Sequence, residues 1–214
     1  MFFVLPFEEG NPPKKIPFMN ILLIGLNIYV FFKTATRFNF EQIVLHNGFI
    51  PAHPHLQDVV VSMFLHAGLL HLIGNMYFLY VFGDKVEEKL GGVTYLCAYF
   101  ASGFGAAYLQ YSVDPHSMLP MIGASGAISG VCALYMLSFP WQKMRLQFFF
   151  LIFPLFSIGA RAFFVVGFWF LEQYFMASLS PVHMGGVAFW AHVGGFLTGI
   201  AMFPFIYSSK KRAA

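Results

Sequence analysis

Charge is scarce in this chain of 214 residues, where Asp, Glu, Lys and Arg together make up 10%. A soluble domain carries about 25%, so the chain lacks the charge to cover a water-facing globular surface. Cysteine is nearly missing as well. Cys97 and Cys132 both fall inside apolar segments, so they read as reduced packing residues and carry no compartment signal. No basic run coincides with an aromatic platform, and the net charge of +3 therefore does not point to nucleic acid. The start of the chain, MFFVLPFEEGNPPKK, lacks the basic n-region, long apolar h-region and cleavage site of a signal peptide. Insertion is expected to rely on the first spanning helix. What is present is apolar: 58% of residues are hydrophobic and the mean hydropathy is +0.70. Apolar stretches near or above the ~20 residues that cross a bilayer recur along the chain. The class is a membrane-embedded bundle.

Six spans are readable. The first runs from Pro17 to Ala35; the second begins near Met63 and ends between Phe82 and Lys89. The third covers Gly92 to Tyr111, and the fourth begins at GASG and stops before Pro140. The fifth lies within Leu146 to Ala177, too long for one span, so its start is left open; the sixth runs from about Gly185 to Tyr207. The expected organisation is a cytoplasmic N-terminal segment (1–16), a six-span domain (17–207) and a basic cytoplasmic tail (208–214). Six spans put both termini on one side. That side then holds Lys14, Lys15, Lys85, Lys89, Lys143, Arg145, Lys210, Lys211 and Arg212, against Lys33 and Arg37 opposite. The positive-inside rule makes the termini cytoplasmic. The connection from Thr36 to Val61 contains His46, His53 and His55. Its apolar FIPAHPHL stretch suggests a membrane-hugging loop, and a loop of that length is commonly functional or disordered.

The fourth span is short. Ser125 to Phe139 is 15 residues, about 22 Å of helix against a hydrocarbon core about 30 Å thick. Ser125 should therefore sit below the outer surface, and the preceding LPMIGA must enter the membrane as non-helical chain. Such backbone is tolerated where protein buries it or where it lines a water-filled cavity. The start of a helix offers free N–H groups and a positive dipole end, so a serine there has an oxyanion hole close at hand. His192 lies 15 residues before Tyr207, which sets it at the same depth of about 22 Å. An intramembrane histidine is costly unless it is paired or functional, and a neutral imidazole can take the serine proton and return it to the leaving amine. Glu172 is the only acid in a later span, without obvious reach to His192, so the reading is a Ser–His dyad.

His71 and Asn75, at i and i+4, share one face of the second span. The Asn amide is a donor suited to a developing oxyanion, with His71 beside it. Their depth matches Ser125 if the helix continues through Gly83 towards Lys89, and not if it stops at Phe82. The spacings Gly126/Gly130 and Gly195/Gly199 are helix-packing signals, and such packing would bring the fourth and sixth helices together. No two histidines have the spacing and carboxylate partner of a zinc helix; no metal or cofactor is expected.

The segments FLHAGLLHLIGNM (Phe64 to Met76), GASGAISG (Gly123 to Gly130) and AHVGGFLTG (Ala191 to Gly199) resemble the motifs of the rhomboid family of intramembrane serine proteases, in that family's order. The resemblance implies an all-α, six-transmembrane-helix bundle with Ser125 as nucleophile and His192 as general base. His71, Asn75, Gly123 and the Ser125 N–H would support the oxyanion, His66 would be structural, and Glu87 would close an inner hydrogen-bond network. Two places depart from the family pattern. Gln57-Asp58 stands where many members carry Trp-Arg, and Ser129 stands where an aromatic residue commonly stacks on the histidine. The implied activity is cleavage of single-pass transmembrane proteins within the lipid bilayer, through an acyl-enzyme. A prokaryotic plasma membrane, with the site open to the outer side, is the expected location. The rivals are a catalytically silent relative that binds membrane clients and a small transporter. The first would normally lack Ser125 or His192; the second would need a polar path across the whole membrane.

Overall fold

The computed structural model describes residues 2–10, 13–35, 39–180 and 186–212. Arg37 and the expected start of the sixth span at Gly185 lie outside the described residues, as do the side chains of Lys210, Lys211 and Arg212. Helix α1 is Phe18–Thr34. The long connection carries two short helices, α2 (Phe40–Asn47) and α3 (Leu56–Ser62). Then come α4 (Leu69–Phe78), a π-helical turn over Leu79–Gly83, and α5 (Asp84–Leu90), which run on without a break. Helices α6 (Gly92–Val113), α7 (Ser125–Ser138), α8 (Ala162–Leu179) and α9 (Phe189–Arg212) complete the helical set. Among the described residues, two helical stretches, Ala162–Leu179 and Phe189–Tyr207, are long and apolar enough to cross a membrane.

The helix ends follow local chemistry. Gly91 at φ 75° closes α5 in the left-handed conformation that glycine adopts at low cost, its N–H bonded to the Glu87 carbonyl at 2.7 Å. Glu87 in turn accepts the Met19 and Asn20 N–H groups at 3.1 and 2.7 Å, satisfying the orphan donors at the start of α1. Asn20 Nδ2 donates to the Leu79 carbonyl at the π turn, and Tyr95 Oη donates to Asn20 Oδ1. This network locks α1, α5 and α6 together at one end of the bundle.

The outer surface is apolar, unlike that of a water-soluble bundle, and several polar side chains are buried among the apolar core residues. Leu22, Leu70, Ile73, Tyr108, Phe168 and Leu171 point outwards, while Asn20, Asn27, Ser102, Ser129 and Gln173 are buried. Small residues and interhelical hydrogen bonds take over the packing role in such a bundle. At its centre α7 crosses α9 and α6 through glycines. A Cβ on Gly195 would land on the Gly126 carbonyl, one on Gly199 would meet the Gly130 carbonyl at 2.5 Å, and one on Gly130 would strike Ser102.

The expectation of an all-α chain is corrected by a three-stranded antiparallel sheet. Its strands β1 (Phe2–Glu8), β2 (Lys143–Phe150) and β3 (Phe153–Arg161) lie in that order. The over-long fifth segment is thus a hairpin followed by a helix. The chain turns at Leu151, with φ 55°, and Ile152. Pro6 is tolerated because β1 is an edge strand and proline has no N–H to give to a ladder. The strand is also tied to the helices: Tyr77 Oη donates to the Pro6 carbonyl at 2.9 Å, Glu8 pairs with Lys85, and Glu9 pairs with Arg145 at 3.2 Å.

Candidate active site

Ser125 is the first residue of α7, and the chain leading to it, 114–124, is not helical. Its backbone groups are satisfied largely by the long connection between α1 and α4. Phe49 and Met121 exchange two backbone bonds at 3.1 and 2.8 Å, Ala52 N–H reaches the Ser117 carbonyl at 3.0 Å, and Gly123 N–H reaches the Ser62 carbonyl at 2.8 Å. Phe49, Val59, Ala107 and Met121 bury the contact. The loop therefore clamps the segment that delivers the serine, with apolar side chains at the contact and Gln57-Asp58 at the start of α3.

The glycine seam between α7 and α9 sets Ser125 against His192. The hydroxyl and imidazole Nε2 are 2.8 Å apart. On the ring's other side Nδ1 is 2.5 Å from Gln173 Oε1, on α8. Trp169, one turn before Gln173, stacks over the imidazole at 6.3 Å between centroids with 29° between planes, and Phe189 meets it edge-on. The Ser129 hydroxyl donates to the Ser125 carbonyl at 2.7 Å. Glu172 lies on the exposed side of α8 and accepts from the Gln173 side-chain amide. A hydroxyl facing an imidazole nitrogen whose other nitrogen is held by an acceptor is an arrangement from which serine can be deprotonated.

Because the second helical segment continues to Leu90, Asn75 lies 15 positions above its end, again about 22 Å at helical rise. Asn75 and Ser125 thus lie similarly far, along the helix rise, from the ends of their segments at Leu90 and Ser138. Asn75 is buried, with Nδ2 donating to the His71 carbonyl at 3.1 Å. The His71 Nδ1 accepts Ala67 N–H at 3.4 Å, so its remaining hydrogen belongs on Nε2. Gly123 sits between these groups and the serine at φ 115°. A Cβ there would lie 2.7 Å from His71 Nε2 and 3.8 Å from Asn75 Nδ2. The side chains of His71 and Asn75 and the start of α7 thus converge on one spot. His66 is fully buried, its ring edge-on to His71 at 5.0 Å.

A cavity of about 830 Å³ opens over this spot, lined among others by His71, Gly123, Ser125, Phe189 and His192. Ser125 and His192 are half-buried and reach it. Gln173 and Trp169 had no assigned role in the sequence reading. The signal was their i, i+4 spacing on an otherwise apolar helix, together with the polar Glu172-Gln173 pair.

The Rhomboid domain family profile matches residues 53–209. Among curated proteins, the chain is 34% identical over 130 residues to Rhomboid-like protein 11, chloroplastic, of Arabidopsis thaliana, covering 58% of this chain and 44% of that protein. It is 28% identical to RHOMBOID-like protein 6, mitochondrial, of the same plant, over 67% of this chain and 41% of the relative. It is likewise 28% identical to Rhomboid-like protease 3 of Toxoplasma gondii, over 75% of this chain and 56% of the relative. The chain thus spans about half the length of these relatives. Relatives named for chloroplasts and mitochondria point to organellar membranes and overturn the expected prokaryotic plasma membrane. With a family profile covering most of its length, laid over a helical bundle with an apolar outer surface, this chain belongs to the rhomboid family.

Proposed function

We propose that this chain is an intramembrane serine endopeptidase that cleaves single-pass transmembrane proteins with Ser125 and His192. The carrying observation is the 2.8 Å approach of Ser125 Oγ to His192 Nε2 at the edge of a cavity. In this reading α1, the continuous α4–α5 rod, α6, α7, α8 and α9 are six spans, with both termini on the side that carries Lys85, Lys89, Lys143 and Arg145. Ser125, His192 and Asn75 share one depth in the half of the membrane away from those basic residues, a reading that the matched helix counts support.

Substrate enters sideways from the bilayer and unwinds locally, because a helix keeps its carbonyls hydrogen-bonded. Ser125 Oγ attacks the scissile carbonyl carbon as its proton passes to His192 Nε2. The carbonyl oxygen becomes an oxyanion. It is met by the Ser125 N–H, His71 Nε2–H and an Asn75 Nδ2–H, preorganised donors in a water-poor site. His192 then gives its proton to the leaving nitrogen, the C–N bond breaks, and an acyl-enzyme remains on Ser125. Water from the cavity repeats the sequence, with His192 as base, to release the acid. No metal or cofactor takes part in these steps.

The test is cleavage of a single-pass reporter substrate in liposomes by the wild type and Ser125→Ala. Activity should vanish in the variant, and a fluorophosphonate should label the wild type but not His192→Ala. Equal cleavage by wild type and Ser125→Ala would refute the reading.

A further inference from the structure

We infer that Gln173 is the positioning residue for His192, its amide direction set by Glu172; this rests on the Ser125–His192 reading above. Gln173 is buried on a mostly apolar helix whose neighbouring polar residues, Glu172 and Ser178, are exposed. A polar group buried among apolar ones costs stability unless it is hydrogen-bonded, and this one spends both ends of its amide. The Glu172 carboxylate can only accept, so it takes the Gln173 Nε2 side. That leaves Oε1 facing His192 Nδ1 at 2.5 Å. Oε1 carries no hydrogen, so Nδ1 must hold the ring's proton, and Nε2 presents its lone pair to Ser125 Oγ at 2.8 Å. Each step follows from donor and acceptor inventory alone.

The two supports commonly given to such a histidine come from elsewhere on this chain. A carboxylate on Nδ1 is replaced by a neutral carbonyl, which fixes the same tautomer without adding a second charge beside the ring. The aromatic neighbour comes from Trp169 on α8 rather than from α7, where Ser129 is committed to the Ser125 carbonyl. Trp169 and Gln173, one helical turn apart, thus define the plane and the rotation of the imidazole from a single helix face.

The experiment compares full-length wild type with Gln173→Met and the double variant Glu172→Gln/Gln173→Glu, by kcat and KM for the reporter and by thermal unfolding. Methionine keeps the length of the side chain and removes the acceptor. The double variant keeps an acceptor against Nδ1 without setting two carboxylates side by side. Gln173→Met should lower kcat by up to about 10⁴-fold, the loss seen when a triad histidine loses the group that fixes its tautomer, with KM and the melting temperature near wild type. The double variant should recover at least a tenth of wild-type kcat. A wild-type kcat in Gln173→Met, or a double variant as inactive as the single one, would overturn the inference. Persistent cleavage by Ser125→Ala would instead strike the reading of the site itself.

Discussion

Gly126 and Gly195 meet backbone to backbone, so closely that a methyl group on Gly195 would fall on the Gly126 carbonyl oxygen. One turn further on, Gly199 stands against Gly130 in the same way. Such close approach is how helices associate where lipid removes the hydrophobic incentive. Here it also sets the approach of Ser125 to His192, which flank the seam.

Gly195→Val should therefore separate the two groups. Overpacking of this kind costs about 1–3 kcal/mol, which thermal unfolding in detergent would register. Reporter cleavage should fall much further than stability, because the Ser125–His192 contact tolerates little displacement. A fully active, fully stable Gly195→Val would contradict the account of the seam.

Gly123→Ala tests the oxyanion side. The residue adopts φ 115°, a region that L side chains rarely occupy, and the added carbon would meet the His71 ring. Turnover should drop at least tenfold, with slower fluorophosphonate labelling of Ser125.

Asn75→Ala and His71→Ala remove single donors from the same pocket. Loss of one preorganised oxyanion donor lowers kcat about 10²–10³-fold, and KM should change little. If KM rises while kcat holds, these residues bind the ground state rather than the oxyanion.

Glu87→Ala addresses the opposite end of the bundle. The side chain accepts two backbone N–H groups at the start of α1, and leaving buried donors unmet costs about 1–3 kcal/mol each. The melting temperature should fall, while kcat measured below the melt stays near wild type. Glu87→Gln, which keeps one acceptor, should lie between the two.

Much of this molecule is legible along the chain. The helical segments, the short α7 beginning at Ser125 and the glycine spacings are local patterns of hydropathy, length and period, and helix rise converts them to depth. The residues of the candidate site could be named for the same reason. Three features could not. The hairpin of β2 and β3 is a continuous apolar run, and what holds β2 as a strand is pairing with Phe2–Glu8, more than a hundred residues away. The clamp on the segment before Ser125 is a set of backbone bonds to Phe49, Ala52 and Ser62, which leave no trace in side-chain pattern.

The orientation of His192 is the third and most consequential. Within the chain, Ser129 leaves the ring without its expected neighbour, and Gln173 is one of a pair of polar residues, with Glu172, in a mostly apolar helix. Only the packing of α8 against α9 turns Trp169 and Gln173 towards the imidazole. Sequence alone determined which groups are candidates for the proposed chemistry, since identity and helical spacing are local. Tertiary structure decided which of them hold one another in place, since a hydrogen bond of 2.5 Å depends on where two helices cross.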